Sequence, residues 1–293
     1  MKKKKPRIGL VLAGGGAKGS YQVGVWKALC EYGLNKKIDC IAANSIGSLN
    51  TLMFMQYTPD ECIDIWRSID NKVVMSKSSL LQKIKTKSLF SRDGVRALLE
   101  EKIDASIYQN LEIPIYITTT DISTGKPCYF KLSGKSKDEI FDIVLASSAI
   151  PGVFESVDIA GGKYMDGLVA NNIPTKPLLN LDCEMLFVIP LNGKYKVTES
   201  ELKYNIPIIS FDSPYTPFGF KGGTLTFKEE FSLLRIDHGY NVAKQLLDKL
   251  RKEGVIAVTR WEKFKRFFHK KKIGPFYGLS KDEIEHKIIF RKK

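Results

Sequence analysis

An apolar run that breaks at one serine constrains this sequence more than any other feature. Within residues 41–50 the run ends in Asn44-Ser45-Ile46-Gly47, and a second apolar run starts at once. This pattern predicts a strand, a tight turn and a helix, with Ser45 at the apex. The start of such a helix points N–H groups at whatever is attached to the serine oxygen. The pattern is typical of an activated nucleophile, although a serine that only caps the helix would also produce it.

The turn follows the pattern small-x-Ser-x-Gly with one departure. A strand and helix that pass so closely leave no room for bulky side chains two residues either side of the serine. Gly47 fits this requirement, and Ala43 stands where glycine is usual. The added methyl group leaves the motif moderately specific when it is taken alone.

A second glycine-rich turn precedes the first one. The apolar residues 7–12 predict a buried strand, and the segment GGGAKG follows at residues 14–19. A dinucleotide site is disfavoured because Asp39 lies at the start of the next strand and not at its end. A phosphate-binding loop requires Gly-Lys-Ser/Thr, whereas Lys18-Gly19-Ser20 has another order. The third interpretation is an oxyanion hole, which requires a nucleophile nearby, and the next strand supplies Ser45.

Periodicity predicts the remaining elements of an α/β fold. The next helix, after residue 45, is apolar almost all round, which is typical of a helix in the middle of a domain. The other predicted strands lie at residues 38–44, 113–120, 126–132, 185–191 and 206–211. The other predicted helices lie at residues 93–103, 137–147 and 229–250. The Lys- and Ser-rich residues 73–91 predict an exposed crossing segment or lid.

Charge divides the chain into a neutral body and basic ends. The net charge is +14 over 293 residues; residues 2–7 carry five positive charges and residues 251–293 a net +9. We therefore expect one α/β domain over residues 1–250, a basic extension over residues 251–293, and attraction to an anionic surface.

The location of the protein is also predicted from the sequence. No apolar run is long enough to cross a bilayer, and the apolar stretch near the start is cut short by glycines, so we expect no secretion signal. Five scattered cysteines lack the spacing of metal ligands, which favours reduced thiols and a cytoplasmic protein.

A second cluster of informative residues lies in the middle of the chain. Residues 146–154 read ASSAIPGVF, and residues 164–174 read YMDGLVANNIP. Asp166-Gly167 follows a short predicted strand, which places a carboxylate on a turn. An ordinary β-turn is the commoner explanation of this dipeptide when it is considered in isolation.

Taken together, these motifs resemble the patatin-like phospholipase family in order and spacing. The resemblance covers residues 7–175 and rests on the GGGAKG turn, Ser45-Ile46-Gly47 with Leu49-Asn50, residues 147–154, and Asp166-Gly167 with Asn172 and Pro174. It implies a three-layer α/β fold in which helices flank a mainly parallel sheet, with a basic helical extension after it. It also implies hydrolysis of fatty acyl esters of phospholipids or lysophospholipids without a metal or an organic cofactor.

The resemblance also implies a role for each site residue. Ser45 would attack the ester carbonyl and Asp166 would accept its proton directly, with Gly47 and Gly167 supporting the two turns. The oxyanion hole would comprise the glycine-rich turn and the residue after the serine, namely Gly14, Gly15, Gly16, Lys18 and Ile46. Lys18 could favour an anionic head group. Ala43 and Leu168 stand where the family has glycine, which bears on rate and pocket shape more than on chemistry.

Two alternatives concern the chemistry. His238 would complete the order Ser…Asp…His of α/β-hydrolases, although a histidine on the helix surface beside Asp237 is the commoner outcome. The protein could also be a non-catalytic scaffold that binds an acyl lipid.

A further alternative concerns the basic C-terminal extension. Trp261, Phe264 and Phe268 form an aromatic face among its lysines and arginines, which suits peripheral binding to an anionic membrane or simple packing on the domain. Nucleic acid is the least favoured partner because no RNA-binding signature accompanies the charge.

Overall fold

The strands of the computed structural model form one mixed sheet. The model describes residues 8–70, 92–212, 223–256 and 275–279. Its strands are β1 (Ile8–Leu12), β2 (Ile38–Asn44), β3 (Ile115–Asp121), β4 (Pro127–Lys131), β5 (Val157–Ile159), β6 (Gly162–Asp166), β7 (Met185–Ile189), β8 (Ile208–Ser210) and β9 (Phe276–Tyr277). Their order is β5-β6-β3-β2-β1-β7-β8-β9, and β4 pairs with β3 outside this path.

Five of the strand pairs are parallel and three are antiparallel. The parallel pairs join β3, β2, β1, β7, β8 and β9 in turn, and the antiparallel pairs are β3 with β4, β3 with β6, and β5 with β6. The central strand β1 is buried at all five positions, as expected of a parallel strand covered on both faces. The predicted mainly parallel sheet is confirmed.

Helices cover both faces of the sheet and make it the middle layer. They are α1 (Ser20–Glu31), α2 (Ile46–Gln56), α3 (Pro59–Ser68), α4 (Asp93–Lys102), α5 (Ser106–Gln109), α6 (Lys137–Ser147), α7 (Lys176–Leu179), α8 (Glu199–Leu202) and α9 (Glu229–Lys252). The buried apolar residues form a larger cluster, which includes residues of α1, α2, α6 and α9, and a smaller one around α7 and β8.

The long helix α9 packs against α1 through two glycines. A Cβ on Gly24 would lie 1.9 Å from the carbonyl oxygen of Ile236, and one on Gly239 would lie 2.1 Å from that of Tyr21. The two helices therefore approach backbone to backbone, which only glycine permits. This close contact holds α9 near the turn after β1. There Arg235 Nη1 of α9 donates a hydrogen bond to the Ala17 carbonyl at 3.1 Å.

Most predicted elements are confirmed, two of them with the predicted bounds. The strand at residues 38–44 and the helix at residues 137–147 agree with β2 and α6. The capping box of Ser136 and Glu139 explains why α6 begins sharply at Lys137.

Other expectations concern residues outside the described ranges. These are the lid at residues 73–91, the basic residues 2–7 and the aromatic face of Trp261, Phe264 and Phe268. Strand β9 pairs with β8, so residues 276–277 of the basic extension belong to the sheet, and the division at residue 250 stays a prediction. Within the described residues, no helix combines the length and apolarity needed to cross a membrane.

Candidate active site

The register of β3 brings Ser45 and Asp166 together. Strand β2 pairs with β3 as far as Asn44, which lies opposite Thr118, and β6 pairs with the next residue, since Asp166 lies opposite Thr119. Because β4 occupies the other edge of β3, β6 takes the edge that β2 leaves. The last residue of β6 therefore lies beside the turn that follows β2.

The turn that contains Ser45 is tight and strained. Ser45 has a φ of 53° and a ψ of −125° and precedes the first residue of α2. A non-glycine residue in such a conformation costs about 1–3 kcal/mol and persists only where its surroundings hold it. A Cβ on Gly47 would lie 2.5 Å from the Leu12 carbonyl oxygen, which explains the glycine after the serine. Ala43 is fully buried in β2, so its methyl group projects from the sheet into the apolar core.

Three backbone N–H groups near Ser45 make no hydrogen bond within the described residues. They belong to Gly15 and Gly16, in the turn after β1, and to Ile46, the first residue of α2. The N–H of Gly14 instead donates to the Asn172 carbonyl at 3.4 Å. A Cβ on Gly14 would lie 2.9 Å from that of Ser45, so this turn runs directly against the serine.

Lys18 lies at the mouth of the site. Its ammonium group donates a hydrogen bond to Asn192 Oδ1 at 2.6 Å. Burial, and then the charge of Arg235, lower the pKa of Lys18. Lys18 thus places a positive charge beside the glycine-rich turn.

Asn44 and Ser147 hold the site together, although no sequence pattern predicted a role for either residue. Asn44 Nδ2 donates to Asp166 Oδ1 at 3.2 Å and to Asn172 Oδ1 at 2.9 Å. The Ser147 hydroxyl accepts the Ser45 N–H at 2.8 Å and donates to the Thr118 carbonyl at 2.7 Å. These two buried side chains connect the serine turn, the carboxylate and the neighbouring strand end.

The Asp166 carboxylate is buried and only partly hydrogen-bonded. Oδ1 accepts the Leu168 N–H at 2.7 Å, whereas Oδ2 has no partner of standard hydrogen-bond geometry among the described residues. Burial raises the pKa of Asp166 to about 6; hydrogen bonds from Leu168, Ser45 and Asn44 and the charge of Arg92 oppose this rise. The carboxylate is therefore ionised at neutral pH, in the range that suits a general base.

Ser45 lies where two cavities meet. One cavity has mainly apolar walls and extends between α2, α3 and α4; the side chains along it include Ile46, Leu49, Met53, Trp66, Val95 and Leu99. The other is the polar mouth, and Gly14, Gly15, Gly16, Lys18, Asp166 and Leu168 border it. An elongated apolar group with a polar end fits this arrangement.

His238 lies away from the serine. It lies on α9 and borders neither cavity that contains Ser45. It is only 8% exposed, so the expected surface position is wrong. Burial lowers its pKa. Among the described residues, no group of three or more His, Cys, Asp or Glu side chains is suited to a metal ion.

The fold and this site define a class: three-layer α/β proteins with a serine on a strand–turn–helix at the carboxyl edge of the sheet. The chain belongs to the patatin-like phospholipase family, whose model matches residues 10–179. The family expected from the sequence motifs is thus confirmed.

Relatives match about two thirds of this chain. An uncharacterised NTE family protein of Mycobacterium bovis is 25% identical over 188 residues, which are 64% of this chain and 50% of that protein. The lysophospholipase nte1 of Aspergillus terreus is 27% identical over 191 residues, 64% of this chain and 12% of that protein. The chain thus spans half or less of the length of these relatives.

The solved structures that match this chain are more distant than these relatives. Human GIVD cytosolic phospholipase A2 with methyl gamma-linolenyl fluorophosphonate has a TM-score of 0.46 at 10% identity, covering 85% of this chain and 59% of that one. VipD from Legionella pneumophila has a TM-score of 0.44 at 15% identity, covering 83% and 67%.

Proposed function

We propose that this protein hydrolyses fatty acyl esters of phospholipids or lysophospholipids, with Ser45 as nucleophile and Asp166 as base. One observation carries the proposal: the Ser45 hydroxyl lies beside a buried carboxylate, at the junction of an apolar cavity and a polar mouth. Membership of the family supports acyl-lipid hydrolysis, and one relative bears the name lysophospholipase.

The first half of the proposed reaction forms an acyl-enzyme. The acyl chain lies in the apolar cavity, and Ser45 Oγ attacks the ester carbonyl carbon while its proton passes to Asp166. The negative charge that develops on the carbonyl oxygen is stabilised by the N–H groups of Gly15, Gly16 and Ile46. When the intermediate collapses, the ester C–O bond breaks and Asp166 returns the proton to the departing alcohol oxygen.

The second half releases the fatty acid. A water molecule that enters through the mouth loses a proton to Asp166 and attacks the acyl carbon. The bond to Ser45 Oγ breaks, and the serine oxygen recovers the proton. Each half uses the same base and the same N–H donors, so no further proton carrier is required.

We further propose that Lys18 and the basic ends direct the protein to anionic lipid. Lys18 would attract the phosphate of a head group at the mouth. The ends would attract the membrane surface, where each lysine or arginine contributes about 1 kcal/mol. Replacing Lys270, Lys271 and Lys272 with glutamine should therefore weaken binding to anionic vesicles. Unchanged binding would contradict the role of the ends.

The proposed activity is tested by fatty acid release from anionic and zwitterionic phospholipid vesicles. The intact protein should release fatty acid, and Ser45→Ala and Asp166→Asn should each abolish release while circular dichroism shows retained folding. Asp121→Asn is the matched control, because it removes a carboxylate at the end of the paired strand β3 and should keep the activity. Lipid binding without release by the intact protein would favour the non-catalytic alternative.

A further inference from the structure

Arg92 is a partly buried cation in the wall of the apolar cavity. It directly precedes α4 and borders this cavity together with Ser45 and Ser148. Its guanidinium carbon lies 6.0 Å from the ring centre of Phe154. Neither the family motifs nor the sequence patterns assign this residue a role, and a charged group is unexpected in a cavity suited to an acyl chain.

Three consecutive residues, the last of α6 and the two that follow it, connect Arg92 to the proposed nucleophile and base. The Ser147 hydroxyl accepts the Ser45 N–H, and the Ala149 carbonyl accepts the Asp166 N–H at 2.9 Å. Between them, the Ser148 hydroxyl accepts a hydrogen bond from Arg92 Nη2 at 3.3 Å. Since successive Cα atoms are about 3.8 Å apart, one short segment holds all three groups close to each other.

No carboxylate of the described residues forms an ion pair with the Arg92 guanidinium. Its hydrogen bonds to described residues go to the Ser148 hydroxyl and, at 3.3 Å, to the Glu155 carbonyl, and Nε is buried without a partner there. Arg96, one turn further along α4, instead forms ion pairs with Glu100, Asp138 and Asp142. The Arg92 charge therefore acts at longer range, and it acts strongly on Asp166 because that carboxylate is buried where water screens charge poorly.

We infer that Arg92 is a positioning residue for the proposed reaction, because its charge adds to the hydrogen bonds that keep Asp166 in the proton-accepting, ionised form. The inference rests on the proposed function, since only an ionised Asp166 could take the serine proton. Burial alone favours the neutral acid. Among charged groups, Asp166 contributes most to raising the pKa of Arg92, against the larger lowering effect of burial, and Arg92 lowers the pKa of Asp166.

Other groups near Asp166 do not replace this charge. Ser45 and Asn44 are neutral, and Lys18, across the mouth, donates its hydrogen bond to Asn192. Asp166 on β6 lies opposite Thr119 on β3. The next titratable groups on these strands, Tyr164 and Asp121, lie two residues further along and opposite each other. Arg92 is the single charged residue that stabilises the Asp166 carboxylate within the part of the chain that the structure describes.

A nuclear magnetic resonance titration tests the inference without any activity. Protein with ¹³Cγ-labelled aspartate gives the titration midpoint of Asp166, which Asp166→Asn assigns. Arg92→Gln should raise this midpoint by about one pH unit, and Arg92→Lys should keep it near the original value. Arg96→Gln is the matched control, because it removes the same charge from the same helix and should leave the midpoint unchanged. An unchanged midpoint in folded Arg92→Gln would overturn the inference.

Reciprocity provides a second test if Arg92→Gln does not fold. In Arg92→Lys, addition of Asp166→Asn should lower the titration midpoint of the introduced ammonium group by a similar amount, because the coupling acts equally on both partners. No shift of that midpoint would contradict the inference.

Kinetics separate this inference from the proposed function. If the intact protein is active, Arg92→Gln should lose roughly 5- to 10-fold in kcat/KM near pH 6 and approach the intact protein near pH 8.5. A loss equal at every pH would indicate a merely structural role and would contradict the inference. Absence of activity in the intact protein would instead contradict the proposed function, and the titrations would still decide the role of Arg92.

Discussion

The two sides of Ser45 are built by different means. On the mouth side, buried polar groups of Asn44, Ser147 and Asp166 are fixed by directional hydrogen bonds. On the other side, apolar side chains of α2 and α4 surround the apolar cavity and fix its shape by packing. Directional networks tolerate little change, because each lost partner leaves another buried group unsatisfied. Apolar walls tolerate more, so we expect mutations on the two sides to differ in size and kind.

The largest effect is expected for Asn44→Ala on the polar side. It removes the donor to Asp166 Oδ1 and to Asn172, and a small displacement of the base costs about 100-fold in rate. We expect kcat for ester hydrolysis to fall by about that factor, with little change in KM. Asn50→Ala is the control, since it also removes buried hydrogen bonds, to Gly19 and Gln22. Equal losses of kcat in the two variants would contradict the proposal that Asn44 positions Asp166.

The next largest effect is on the free energy of unfolding, which the buried Asp166 carboxylate on the polar side lowers at neutral pH. The folded pKa of Asp166, about 6, lies above its ordinary value of 3.8. The carboxyl group therefore stabilises the fold at low pH, and this contribution is lost as the pH rises through 6. We expect Asp166→Asn to be more stable than the intact protein by roughly 3 kcal/mol at pH 7.5 and nearly equal below pH 4. Urea unfolding at both pH values measures the difference, and a less stable variant at pH 7.5 would contradict the account.

A smaller effect is expected on the apolar side. Met53 lies about 10 Å along α2 from Ile46, given the helical rise, and borders the cavity. Met53→Trp should lower kcat/KM for long-chain esters by about 10-fold, because the larger ring fills the space for the chain. Hydrolysis of a short-chain ester should change little. Met55→Trp places the same side chain outside this cavity and serves as the control; equal chain-length effects in both variants would contradict the proposed acyl site.

The smallest effect on ester hydrolysis is expected for a residue that borders neither the polar mouth nor the apolar cavity. His238 borders neither cavity of Ser45, so His238→Ala should leave ester hydrolysis within about twofold of the intact protein. A triad histidine would instead cost about 10⁴-fold. Such a loss would mean that His238 takes part in catalysis and that the mouth and the apolar cavity do not contain all of the catalytic residues.

The sequence predicts local features of this protein better than contacts between distant segments. Strand β2 is recognisable because its apolar run stops at Asn44-Ser45, and α6 because Ser136 and Glu139 cap it. The contact between Asn44 and Asp166 joins residues 122 positions apart. It depends on where β6 meets β3, which no local pattern encodes. Arg92 is hidden for the same reason, because its role follows from its place beside the segment after α6.

The position of His238 shows the same limit on a helix. The pattern of α9 predicts one apolar face with Ile236, Tyr240 and Ala243. The structure buries a wider face that also includes Arg235, His238 and Gly239, because α9 contacts α1 backbone to backbone at the glycines. The width of a buried face depends on the partner helix, so periodicity along one helix underestimates it.

The most direct test of the central claim is covalent labelling with an alkyl fluorophosphonate, followed by peptide mass spectrometry. Such a probe reacts with an activated serine. We predict that the label appears on the peptide that contains Ser45, that Ser45→Ala abolishes it, and that Asp166→Asn slows it by about 100-fold or more. Labelling that survives Ser45→Ala, for example on Ser148 in the same cavity, would contradict the assignment of Ser45 as the nucleophile.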